Sequence, residues 1–190
     1  DAVYIGLKQY SARKAADNFT PEELSEAISY CHTRGVSVYL TLNTLTGEED
    51  IEKAYTSGIE AYNAGVDGII VQDLGLASRL ISSHIPVHSS TQLTVYNKEG
   101  AQQVRELGFT RCVLARELSL SEIKTITDNV PMETEVFCHG ALCMSYSGQC
   151  LMSFCQGGRS GNKGDCAQPC RMAYSFAAGK MLHHLSPSDL

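Results

Sequence analysis

The feature that most limits what this chain can fold into is an alternation of two periods. Short apolar runs, Val3-Tyr4-Ile5, Val36 to Leu42, Gly68 to Val71, Val87 to Ser90, Cys112 to Ala115 and Glu135 to Cys138, alternate with longer stretches of helical spacing. The helices carry chemical start signals. Thr20-Pro21-Glu22-Glu23 places a hydroxyl at the N-cap, proline at N1 and a carboxylate at N3, a capping box. Thr46-Gly47-Glu48-Glu49 and Ser119-Leu120-Ser121-Glu122 repeat the pattern, while Gly35, Gly65 and Gly108 fall where helices should close. Apolar strands alternating with helices in this way predict a parallel sheet covered by helices.

An open doubly wound sheet and a (β/α)8 barrel both meet that description. Polar residues collect just after the strands: Asn43, Gln72 and Asp73, His88 with Ser89 to Gln92, Arg116 and Glu117, and His139. In a barrel every strand C-terminus converges on the face that carries the active site, so this placement favours a barrel. The expectation is an α/β fold: a partial (β/α)8 TIM-like barrel of about six units over residues 1–140, followed by a Cys/Gly-rich irregular segment over 141–190 packed on its mouth. Both ends read as the interior of a longer fold. Asp1 leads straight into a strand-like run, and Ser186-Pro187-Ser188-Asp189 reads as the start of a helix.

Six of the eight cysteines lie between Cys138 and Cys170, and four of them form Cys143-x6-Cys150-x15-Cys166-x3-Cys170. Thiolates bind soft metals, and a cluster needs several of them brought round one centre by a chain that bends sharply. Gly148, Gly157, Gly158, Gly161 and Gly164 supply that freedom. Iron-sulfur is the leading candidate. Zinc is the rival, because Cys166-x3-Cys170 lies within its usual ligand spacing, although the long outer spacings do not form a simple pair of hooks. Cys31 and Cys112 sit inside helix and strand patterns and read as packing residues. A disulfide scaffold is disfavoured by the regular α/β pattern and the lack of a visible secretion signal, and cytoplasmic chemistry is expected. No apolar run approaches the ~20 residues of a membrane helix.

Arg116 and Glu117 form the next constellation: an arginine at a strand end can grip a carboxylate or phosphate, and Glu117 can orient it or move protons. An ion pair closing the barrel rim is the equally weighted structural alternative. Glu135 alternates with Phe137, so it faces the interior either as a catalytic carboxylate or in a salt bridge. His88 and His139 face the expected site, whereas His32, His183 and His184 read as surface residues. A peptidase would need an activated nucleophile. No Gly-x-Ser-x-Gly elbow or His-Glu-x-x-His helix is present, which leaves Cys138 or Cys143 with His88 or His139. The net charge is -6, yet residues 151–190 hold 4 Lys/Arg against 2 Asp/Glu, so the cysteine-rich tail is the mildly positive part.

The stretch Glu135-Val136-Phe137-Cys138-His139-Gly140-Ala141-Leu142-Cys143, followed by Gly148-Gln149-Cys150-Leu151-Met152-Ser153, resembles the signature of the U32 peptidase-like family. The likeness extends to Val3-Tyr4-Ile5-Gly6-Leu7, Thr41-Leu42-Asn43, Ser90-Thr91-Gln92, Ala115-Arg116-Glu117-Leu118 and Gly164-Asp165-Cys166-Ala167-Gln168-Pro169-Cys170-Arg171, nearly the whole chain. The resemblance implies an α/β barrel and two functions. Some members are named collagenase-like proteases, and others support oxygen-independent hydroxylation of a tRNA uridine, a ribosomal RNA cytidine or quinone precursors, the last with a 4Fe-4S cluster. It implies Cys143, Cys150 and Cys166 as cluster ligands; for the fourth, similar proteins often carry a cysteine directly after a Leu-Ser-Pro-x-Asp-Leu stretch, here 185–190, and Cys170 is the candidate within this sequence. The Gly-Gly-Arg-Ser-Gly-Asn stretch is more similar to the RNA-hydroxylation members. On that reading the mouth binds a small oxygen-donating carboxylic acid anchored by Arg116, and RNA is the partner.

Overall fold

The computed structural model describes residues 1–12, 16–140, 143–178 and 181–185, the last eight of these by backbone alone. Strand and helix alternate as the two periods require: β1 (Ala2–Gly6), α1 (Pro21–His32), β2 (Ser37–Leu42), α2 (Ile51–Ala64), β3 (Gly68–Val71), α3 (Leu74–Ser82), β4 (Val87–Ser89), α4 (Lys98–Glu106), β5 (Arg111–Val113), α5 (Leu120–Asn129) and β6 (Glu133–Glu135). The six strands form one sheet in chain order, each parallel to its neighbours. A doubly wound sheet would reverse direction at a switch point. This one winds a single way into a half-barrel.

Alternate residues separate the two faces. Val38, Leu40 and Leu42 of β2, Ile69 and Val71 of β3, Val87 of β4 and Cys112 of β5 meet Leu76, Leu80 and Ala54 of the helices in one apolar core. Leu40, Leu42, Ile69, Leu76 and Leu80 are fully buried, and each contributes about 1.5–3 kcal/mol relative to exposure. The opposite, concave face carries a polar layer. The Tyr39 and His88 rings meet edge to face at 4.5 Å, Arg111 lies over Tyr39 at 4.8 Å, and Gly68 leaves the space between Tyr39 and His88 open.

Several local expectations are corrected. The box at Thr46 does not start α2: the Thr46 amide donates to Asp73 Oδ2 at 3.3 Å, residues 47–50 turn, and the helix begins at Ile51 without a side-chain cap. The last strand is Glu133–Glu135 rather than 135–138, because Arg111 and Val113 of β5 pair with Glu133 and Glu135. His88 lies within β4, not after it. The cysteine-rich segment is not irregular throughout: it contains α6 (Met152–Gly157), 3-10 turns at Gly161–Lys163 and Pro169–Arg171, and an antiparallel hairpin of β7 (Tyr174–Ala178) and β8 (Met181–Leu185). The backbone at His183 and His184 is therefore strand, while the helix start at 186–189 lies outside the described residues.

Candidate functional site

At the C-terminal ends of the strands, the rim and the cysteine-bearing segment meet through Ser147. Its side chain is fully buried. Arg116 Nε donates to Ser147 Oγ at 3.1 Å, and Glu117 Oε1 accepts from the Ser147 amide at 3.0 Å and from its hydroxyl at 3.2 Å. Thr94 Oγ1 donates to the Ser147 carbonyl. Thr94 sits in the left-handed region, φ 57°, an uncommon conformation for a β-branched residue and one that concentrates at functional sites. Next to it, Tyr96 and Tyr146 pack edge to face at 6.0 Å. Burial, and then Tyr146, Glu122 and Glu117, push the Tyr96 phenol up.

A second contact lies on the other side of the rim. Leu45 N–H donates to the Asn162 carbonyl at 3.0 Å, and Gly164 lies against the Ser11 carbonyl. Ser11 Oγ lies 3.2 Å from Thr41 Oγ1, the Ala12 amide donates to Asn43 Oδ1 at 2.8 Å, and Thr44 Oγ1 donates to the Tyr10 carbonyl at 3.1 Å. Asn43 thus holds the loop after β1. Gln72 is buried, with Nε2 3.5 Å from the Gln92 carbonyl and Oε1 without a protein partner among the described residues.

The remaining expected residues are distributed differently. Glu135 pairs with Arg111 at 3.3 Å, and Arg111 also holds Glu133 at 2.8 Å and the Tyr39 hydroxyl at 3.2 Å. Burial, and then Arg111, push the His88 imidazole down to about 4, with Glu133 acting in the opposite sense. The structure therefore brings His88 and Glu135 into one layer inside the half-barrel, apart from the Arg116–Glu117–Ser147 group. His139 follows β6 in exposed chain. Among the described residues no hydrogen bond joins a cysteine to a histidine.

All eight cysteines are free thiols, Cys143 and Cys166 exposed, Cys150 and Cys170 half-buried. Cys166 Sγ accepts from the Gln168 amide at 3.3 Å, and Ser153 Oγ accepts from the Ala167 amide at 2.9 Å, which ties this turn to α6. Among the described residues, no three His, Cys, Asp or Glu side chains stand close enough to hold a metal ion. Thiols are soft donors, the class that soft metals take by chemistry.

Ser147, Thr94, Asn162 and Arg111 carry these contacts, and sequence reasoning passed over all four. Their partners lie 30 or more residues away for Ser147 and 53 for Thr94, beyond any local pattern. The one available signal was the Gly-x-Cys spacing shared by Gly148-Gln149-Cys150 and Gly164-Asp165-Cys166.

The sequence profile of peptidase family U32 matches residues 1–190, the full chain. The chain belongs to peptidase family U32. A relative in Escherichia coli named "23S rRNA 5-hydroxycytidine C2501 synthase" is 42% identical over 93% of this chain and 27% of its own length. The "tRNA hydroxylation protein P1" of Bacillus subtilis is 39% identical over 93% of this chain and 42% of its own. This U32 chain thus spans less than half the length of either. A solved U32 peptidase superposes with a TM-score of 0.62 at 22% identity, over 72% of this chain and 60% of that one, which shows the shared fold. No helix among the described residues is long and apolar enough to cross a membrane.

Proposed function

We propose that this chain is part of a cytoplasmic iron-sulfur protein that supports hydroxylation of an RNA base, a tRNA uridine or a ribosomal RNA cytidine. The observation that carries the reading is the fastening of the cysteine-bearing segment to the strand ends, in a family of which some similar members are named for RNA hydroxylation and others as a protease or a collagenase. Cys143, Cys150, Cys166 and Cys170 are the proposed ligands of a 4Fe-4S cluster. When bound, such a cluster supplies one-electron transfer.

The remaining roles fall to the chain's own side chains. Ser147 fixes Arg116 through Nε, which leaves the two terminal guanidinium nitrogens as a fork for the carboxylate of a small oxygen-donating acid. Glu117 holds the Ser147 amide and hydroxyl, and so sets the orientation of that arginine. His88 stays neutral inside the half-barrel and is assigned to the packing of its layer.

Full-length protein purified anaerobically tests the cofactor: iron and acid-labile sulfide in equal amounts are expected, and a colourless, iron-free preparation contradicts it. Stoichiometric zinc without sulfide would favour a zinc-stabilised module. The family description keeps a peptidase as the second reading. Peptide cleavage that is lost in Cys143→Ala yet survives iron chelation would favour it.

A further inference from the structure

Two stretches of the cysteine-bearing segment share one arrangement. Gly148 and Gly164 each stand two residues before a cysteine, Cys150 and Cys166. Both are left-handed, with φ of 72° and 76°. Both also lie so close to the rim that a Cβ would be driven into a backbone carbonyl oxygen, that of Gln92 for Gly148 and that of Ser11 for Gly164. The other described glycines of positive φ differ. Gly35, Gly140 and Gly158 have nothing within 4 Å of that position, while Gly65 and Gly108 face only the side chains of Ile28 and Ile81. Left-handed backbone and contact with a rim carbonyl therefore coincide at these two positions among the described residues.

A hydrogen bond stands beside each glycine. Next to Gly148, the Ser147 amide donates to Glu117 at 3.0 Å; two residues before Gly164, the Asn162 carbonyl accepts from the Leu45 amide at 3.0 Å. The two contacts fall at different parts of the rim. Gln92 follows β4, whereas Ser11 follows β1 and Leu45 follows β2.

We propose that Gly148 and Gly164 are positioning residues of the thiolate site, each seating its loop on a rim carbonyl and so fixing where the cysteine two residues later stands. The proposal rests on the reading of Cys150 and Cys166 as metal ligands. An alanine at either position meets both a disfavoured φ and a backbone atom that cannot rotate away, so the loop has to lift from the rim. Gly157 is the control: its Cβ position is open and its φ is not positive.

The test is amide hydrogen exchange on metal-free, full-length protein, together with iron retention after anaerobic loading. Gly148→Ala is expected to speed exchange at Ser147 roughly tenfold or more while leaving Leu45 unchanged, and Gly164→Ala to do the reverse. Both should weaken iron retention roughly tenfold or more, as loss of a supporting contact does, while Gly157→Ala matches the wild type. Alanine variants that exchange and load like the wild type overturn the proposal. A wild-type protein without iron would remove the metal reading, and the selective exchange pattern would still establish the two anchors. Where a glycine variant fails to fold, Thr94→Val removes the bond to the Ser147 carbonyl without adding a Cβ. Faster exchange at Ser147 alone is then expected, and unchanged exchange overturns the first anchor.

Discussion

His88 is a buried imidazole whose neighbours include the Arg111 guanidinium. Burial and the Arg111 guanidinium hold the folded imidazole at about 4, against 6.5 ordinarily. Between those values the unfolded chain takes up a proton that the folded chain refuses. The stability is therefore complete above about 6.5, falls as pH drops through the window and is lost by about 4. The full gap corresponds to about 3 kcal/mol, and with 4% of the residue exposed little solvent screens it. Denaturant unfolding between pH 7 and 4 is expected to show a steeper loss in the wild type than in His88→Gln; equal slopes would contradict the assignment. At the rim, Glu117→Ala removes the acceptor of the Ser147 amide and should lower its opening free energy by about 1 kcal/mol, while Glu117→Gln keeps most of it, as read by hydrogen exchange. Arg116 and Glu117 were legible in sequence because they directly follow an apolar run. Ser147 was not, because a serine among glycines and cysteines shows its role only once the chain has folded back on the rim.

Helix α2 illustrates how packing decides an element. Gly58 stands in its interior, where alanine is usually better by about 1 kcal/mol. A Cβ there would meet Leu80 Cδ2 at 2.8 Å, Ile69 Cδ1 at 3.3 Å and Leu42 Cδ1 at 3.4 Å, so the buried Leu80 side chain has to shift or α2 has to move. Gly58→Ala is expected to cost about 1–3 kcal/mol net, measured by chemical denaturation; a stabilised variant would show that the core yields more easily than its packing suggests. The capping boxes at Thr20 and Ser119 form as their sequences dictate. The one at Thr46 does not, because Asp73 captures its amide across the sheet. Strand β6 was misplaced for a related reason. Glu133-Thr134-Glu135 lacks the apolar character of an interior strand, and its position is set by Arg111, whose two ion pairs fix the strand to β5.

For the molecule as a whole, the parallel sheet covered by helices was readable from alternating apolar runs and capping signals, and its winding into a half-barrel from the polar residues that follow the strands. The seating of the cysteine-bearing segment was not, because it depends on two backbone contacts and one buried serine rather than on any apolar pattern. Its proposed chemical role, support of RNA hydroxylation, is open to direct test. The most direct measurement is nucleoside mass spectrometry of ribosomal and transfer RNA from cells lacking the full-length protein, complemented with the wild type or with Cys150→Ala. A hydroxylated pyrimidine is expected to disappear in the deletion, to return with the wild type and to stay absent with Cys150→Ala. Unchanged RNA in the deletion, or full restoration by Cys150→Ala, would contradict the proposed role.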